Sequence, residues 1–193
     1  MVVSERSSVR RLVKRYLGAG APPTSDDVSE GLWTTEAGPE RRDESSETYS
    51  RVLVEQYKIY VEMADRVSSR RGLTNTFFLT LNTSIFAVIG AFWGLESPVN
   101  SWLLAFPVFA LITQCMAWFW IVRSYRQLNA AKFAVVGAFE ERLPASPFWR
   151  AEWKALGEGR DPSRYWPISH LEQWIPVLFA GFYLGGFLAI LIV

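Results

Sequence analysis

The sequence predicts an all-α integral membrane protein with three transmembrane helices per subunit, long cytoplasmic helical extensions and assembly into a homo-oligomeric ring. Three observations carry that prediction. The stretches 72–94, 97–122 and 173–193 contain no Asp, Glu, Lys, Arg or His, and each reaches the roughly 20 apolar residues that a helix needs to cross about 30 Å of hydrocarbon. All 20 Lys and Arg residues lie outside the connection 95–101 and the stretch after Glu172, a one-sided distribution that orients a membrane protein. The segments flanking the spans keep helical spacing. A chain of 193 residues is too short for a self-contained transporter with inverted repeats, so function is expected from an oligomer.

The N-terminal segment 1–45 reads as a flexible cytoplasmic region. Within 4–17, Val9, Leu12, Val13 and Tyr16 fall at helical spacing among Arg6, Arg10, Arg11, Lys14 and Arg15, which fits either an amphipathic helix on an anionic leaflet or a frayed basic tail. The rest of the segment, rich in Gly, Pro, Ser and Thr, reads as a linker. It holds no apolar run fit for a signal peptide, so the first span is expected to serve as the insertion signal.

From 46 to 71 a cytoplasmic helix is expected, because Tyr49, Leu53, Tyr57, Tyr60, Ala64 and Val67 recur at steps of four and three and form one narrow apolar seam. Glu55 with Lys58 and Glu62 with Arg66 have pairing distance along its polar side. This helix is expected to run directly into the first span, 72–94, with Gly72 as a candidate bend. After an external loop at 95–101, the second span covers 102–122 and continues as a cytoplasmic helix over 123–143, where Tyr125, Leu128, Val135 and Phe139 keep the spacing. Pro107 is expected to kink this helix.

The connection 144–171 holds short helices. Ser146 before Pro147 is an N-cap and first-turn pair, and Gly157 is a stop. Asp161 with Pro162 opens a turn. Ser169 and Glu172 have capping-box spacing, so the third span is placed at 172–193, with Pro176 near its start. The basic residues then put the N-terminus in the cytoplasm and the C-terminus outside. Trp93 and Trp102 suit the outer interface, and Trp120, Trp166 and Trp174 the inner one.

No ionisable residue falls at mid-membrane, which excludes a charged ion site, a proton relay or a voltage sensor there. Thr76, Thr80, Thr83, Ala87, Gly90 and Gly94 form one small-residue stripe in the first span, and Gly181, Gly185 and Ala189 a second in the third. Two such faces per subunit suit a ring. Asn75 and Asn82 beside the first stripe, with Thr76, Thr80 and Thr83, fit two roles: polar lining of a pore, or hydrogen bonds between helices. Oligomer packing is further expected from Tyr57, Tyr60, Ala64 and Val67. Arg70, Arg71, Arg123 and Arg126 share one membrane depth and would make a basic collar for lipid phosphates, or serve as ordinary positive-inside anchors.

One Cys and one His cannot build a disulfide framework or a Cys/His metal site within a protomer, and Cys115 is expected to be buried and inert. Glu55, Glu62, Asp65, Glu140 and Glu141 are candidate acids, but their spacing among Lys and Arg reads as a solvated or paired helix face. His170 fits an interfacial residue. No catalytic residue, cofactor or metal is therefore expected. With 20 basic and 19 acidic residues and no reading fold, nucleic acid is not an expected partner. Partners are expected to be further copies of the chain, membrane lipids and an unassigned cytoplasmic component.

The block Glu55-Gln56-Tyr57-Lys58-Ile59-Tyr60-Val61-Glu62-Met63-Ala64-Asp65-Arg66 is followed by Ser69-Arg70-Arg71, Asn75-Thr76-Phe77-Phe78-Leu79 and Leu81-Asn82-Thr83. Further along come Arg123-Ser124-Tyr125, Leu128-Asn129, Ala131-Lys132-Phe133, Glu152-Trp153 and Leu156-Gly157-Glu158-Gly159. Together they resemble the bacterial RipA family of octameric membrane proteins over about 47–193. The resemblance implies a helical inner-membrane octamer with no assigned enzymatic activity, and it transfers no catalytic residue. In layout alone, helix, membrane hairpin and helix, the chain is similar to the SLATT effectors of bacterial conflict systems. The leading reading is a non-enzymatic homo-oligomeric assembly, scaffold or channel-like. Its alternative is a membrane-permeabilising effector gated through its cytoplasmic helices.

Overall fold

The computed structural model describes residues 23–33, 46–92, 104–159, 161, 163–165 and 168–192. They form α1 (Ser25–Leu32), α2 (Ser46–Phe92), α3 (Ala105–Glu140), a π-helical segment (Pro147–Glu152) continued by α4 (Trp153–Ala155), and α5 (Ile168–Ile192). No strand occurs among the described residues. Helices α2, α3 and α5 are long and apolar enough to cross a membrane. At 1.5 Å per residue α2 is about 70 Å long and α3 about 54 Å, so each has more length than one bilayer takes up. The surplus forms the stalk.

Helices α2 and α3 are antiparallel, and their side chains meet in a ladder over most of their length. The Arg142 guanidinium donates to the Tyr49 hydroxyl, Tyr57 to Glu140, and Ser68 to Asn129. Further along, the Trp118 indole N–H donates to Asn75 at 2.9 Å, and Phe78 stacks on Trp118 with centroids 5.5 Å apart. Helix α5 lies against α3 and reaches α2 through Tyr183, whose ring stacks on Phe86 at 4.8 Å. Helix α3 is thus the central rod. Its last turns, from Ala134 to Glu140, are buried almost all round, because α2, α1 and the π-helical segment surround them.

Along the seam of α2, Leu53 and Ala64 are buried, while Tyr57, Tyr60 and Val67 are half-buried. Tyr60 leans on Phe139 and lies under the Lys132 ammonium, 4.6 Å from its ring centroid. The pairs Glu55–Lys58 and Glu62–Arg66 form at 3.0 and 2.7 Å. Helix α2 runs on through Gly72 without interruption.

Several local expectations need correction. The stretch read as linker contains α1, whose N-cap Thr24 forms a reciprocal capping box with Asp27. The Thr24 backbone N–H and hydroxyl both donate to the Asp27 carboxylate at 2.8 Å and hold it below its ordinary pKa. Helix α1 docks on the end of α3, with Ser25 donating to Glu141 at 2.8 Å and Trp33 packed edge-on against Phe139. Pro107 does not interrupt a helix, because α3 starts at Ala105 and Pro107 lies in its first turn, where no intrahelical donor is lost. Helix α5 begins at Ile168, so Ser169 is already inside the helix and is not its cap. Pro176 accordingly falls two turns inside α5 and deprives the Glu172 carbonyl of its intrahelical donor. The expected helix 4–17, the external loop 95–101, Gly94, Trp93, Trp102 and Trp166 lie outside the described residues, as do the surroundings of Gly90 and the side chain of His170.

Candidate functional site

The most tightly organised group of polar side chains lies at the stalk end and is centred on Glu140, which is 2% exposed. Its carboxylate accepts four hydrogen bonds. Oε1 takes the Tyr57 hydroxyl at 3.0 Å and the Phe148 N–H at 3.1 Å, while Oε2 takes the Ser146 hydroxyl at 2.7 Å and the Trp149 N–H at 2.9 Å. The reason lies in the segment that follows. A helix start leaves several N–H groups without intrahelical partners, and here each finds one. Pro147 has none to satisfy, Phe148 and Trp149 donate to Glu140, Arg150 donates to the Ser146 side chain, and Ala151 to the Ser146 carbonyl.

Ser146 is therefore the cap that the sequence indicates, but it shares the task with a carboxylate six residues upstream. The helix it opens is a π-helical turn before it becomes α-helical. Gly137 completes the docking. A Cβ at that position would lie 2.6 Å from Trp149 Cδ2, so only glycine lets the indole lie on the α3 backbone. Burial, followed by the hydrogen bond to Glu140 and its charge, pushes the Tyr57 hydroxyl up to about 12. Beside the hub an open cavity of about 380 Å³ is lined by residues that include Glu140, Glu141, Ser146, Arg150 and Lys154. Glu140 is not the solvated helix-face residue its spacing suggested. Glu55 and Glu62 do lie on an exposed paired face, as does the exposed Asp65.

Within the spans, both asparagines bond between helices. Asn82 is 0% exposed. Its amide nitrogen donates to the Phe78 carbonyl at 2.7 Å and its oxygen accepts the Tyr183 hydroxyl at 2.8 Å, with the Cys115 thiol at 3.9 Å. One amide thus ties α2, α3 and α5 together. Asn75 accepts from Trp118. The threonines beside them, Thr76 and Thr83, turn their hydroxyls back to their own helix carbonyls, and together with Thr80 and Ala87 they are exposed. Gly181, Gly185 and Ala189 on α5 are exposed too, with open space where a Cβ would stand on either glycine. The sequence pattern singles out these two amides but not Trp118 and Tyr183, to which they bond, because both lie unmarked in apolar runs.

At the stalk-side end of the spans, Arg71 stands 3.4 Å from Glu172 in an ion pair whose two side chains are about one-fifth exposed. Arg126 donates to Gln173 at 3.1 Å. Arg123 is buried, with its guanidinium 6.0 Å from the Trp120 ring, and Arg70 is exposed. Two of the four collar candidates, Arg71 and Arg126, therefore meet the start of α5, and Glu172, expected to cap that helix, is instead the counter-charge of Arg71. Among the described residues no three His, Cys, Asp or Glu side chains come together to hold a metal ion.

Neither a curated protein nor a solved structure matches the chain. A family model does, over residues 54–192, which includes most of the stalk hairpin, the Glu140 hub, the buried amides and all of α5. By that match the chain belongs to the Octameric membrane protein family (8xMP).

Proposed function

We propose that the protein is a non-enzymatic homo-octamer of the RipA type in a bacterial inner membrane, and that it works as a scaffold rather than as a conduit lined by its asparagines. One observation carries this reading. The two asparagines of the first span, Asn75 and Asn82, are spent on bonds between helices of the same chain, whereas the small-residue faces of α2 and α5 are left open. Backbones associate closely in lipid through such faces, and two different ones per subunit let a ring close. The family description names an octamer, which supplies the number. The distribution of Lys and Arg favours a cytoplasmic N-terminus and stalk with an external C-terminus. The stalk end, a helical knob clamped by Glu140, is then the surface offered to the cytoplasm.

The test is the mass of the complex extracted into nanodiscs, followed by cryo-EM of its axis. Eight copies with an axis sealed by lipid or apolar side chains support the scaffold. An axis open and lined by Asn75 and Asn82 overturns it in favour of conduction, and a monomer overturns the assembly itself. Replacing Gly181 and Gly185 by Leu is expected to shift the complex toward smaller species.

A further inference from the structure

We propose that Arg71 and Arg126 at the start of α5, with Arg123 one turn before Arg126 on α3, form a binding site for the phosphate of an anionic lipid headgroup. The inference rests on the membrane-embedded reading but not on the number of subunits. It begins from an incomplete ion pair. Arg71 Nε and Glu172 Oε2 are buried, 3.4 Å apart, and neither has a hydrogen-bond partner, so a charged donor remains unsatisfied where such groups are costly to leave so. Two further guanidiniums lie beside it. Arg126 is held by Gln173, the residue after Glu172, and Arg123 is 8% exposed.

Burial, and then the like charge of Arg123, lower the pKa of Arg126, so the two cations lie close enough to repel. Both have partners within the chain. Guanidiniums bind phosphate through paired N–H bonds, and basic pockets between transmembrane helices on the cytoplasmic side are suited to lipid headgroups. The surroundings select a lipid over a free anion. Trp120, one turn before Arg123 on α3, is exposed, as are Ile168, Leu171 and Trp174 in the first turns of α5, indole and aliphatic surface of the kind that settles at headgroup level. The site is narrower than a ring-wide basic collar, because Arg70 points to the exposed side of α2.

The full chain, purified in detergent, is examined by native mass spectrometry with added dioleoylphosphatidylglycerol, dioleoylphosphatidylcholine or inorganic phosphate. Phosphatidylglycerol adducts are expected to outlast phosphatidylcholine adducts, and Arg71→Gln or Arg126→Gln to weaken their retention about fivefold each, the worth of one basic group near a membrane surface. Arg71→Lys is expected to retain most of the binding. Glu172→Gln separates a ligand site from a structural one: removing the competing carboxylate is expected to strengthen retention, whereas a merely structural ion pair would make it weaker. Equal retention of the two lipids overturns the proposal, as does protection by inorganic phosphate equal to that by phosphatidylglycerol. The subunit count is read from the same spectra. A monomer that prefers phosphatidylglycerol supports this site and refutes the octamer; an octamer without that preference does the reverse.

Discussion

Replacing Glu140 by Gln keeps the side chain's shape and removes half of its accepting capacity, so it isolates what the carboxylate does. Each carboxylate oxygen accepts two donors, Tyr57 with Phe148 and Ser146 with Trp149. A glutamine can serve one pair through its carbonyl oxygen, but it turns its NH2 toward the other pair, donor against donor. Two donors then lose their acceptor, at about 1–3 kcal/mol for each that stays buried. Phe148 is exposed and Ser146 half-buried, so water recovers part of that loss, and about 2–3 kcal/mol is expected for the docking of the segment Pro147–Glu152. Hydrogen exchange followed by mass spectrometry reads this directly. Amides from 148 to 155 are expected to exchange about 30- to 150-fold faster in Glu140→Gln, while those of the membrane spans keep their parental rates. Glu141→Gln is the control, since Glu141 is exposed and accepts only the Ser25 hydroxyl among the described contacts. Unchanged exchange over 148–155 in Glu140→Gln would refute the idea that the carboxylate clamps the knob to the stalk.

Gly137→Ala forces Trp149 off the α3 backbone and is expected to cost about 1–3 kcal/mol, seen as a red-shifted tryptophan emission and faster exchange over the same segment. The Tyr57 hydroxyl is raised to about 12 from an ordinary value near 10, so its contribution is complete below about pH 10 and is lost as pH climbs through about 12. A pH series of thermal melts is therefore expected to show wild type losing its advantage over Tyr57→Phe across that window. Asn82→Leu removes the acceptor of the Tyr183 hydroxyl in the span and is expected to lower resistance to SDS unfolding by about 0.6–2 kcal/mol. Thr24→Ala removes the cap of α1 and is expected to cost that helix about 1 kcal/mol, read as lost exchange protection over 25–32.

What the sequence discloses follows from whether the cause is local. The three long apolar helices, the α2 seam and the Glu55–Lys58 and Glu62–Arg66 pairs are visible because hydropathy and helical spacing act within a few turns. Ser146 before Pro147 is visible for the same reason. Thr24 and Asp27 stand at capping distance as well, but α1 has only eight residues, too short and polar to rise above its Gly- and Pro-rich neighbours. The capping box expected at the start of α5 fails by the opposite error. Ser169 and Glu172 have the spacing of a cap, yet Glu172 is drawn to Arg71, a residue 101 positions earlier, and a charge partner on another helix outcompetes a local capping role.

Glu140 shows where pattern ends and topology begins. Its spacing among basic residues is that of a solvated helix face, and nothing within a few turns marks it otherwise. Its burial arises because the chain reverses at Pro144 to Pro147 and lays Trp149 on Gly137, one turn before Glu140. That reversal brings the carboxylate to a helix start whose N–H groups need an acceptor, while the antiparallel return of α3 brings Tyr57 to its other side. Three separate folding decisions therefore converge on one side chain, and each is encoded elsewhere: in a glycine, in a proline turn and in the register of two stalk helices. The same logic applies to Asn82, whose partner Tyr183 belongs to a helix that the sequence reaches 101 residues later. A polar residue in such a chain is identified as structural or functional only when the donors facing it are known, and for Glu140 and Asn82 those donors are already supplied from within one subunit.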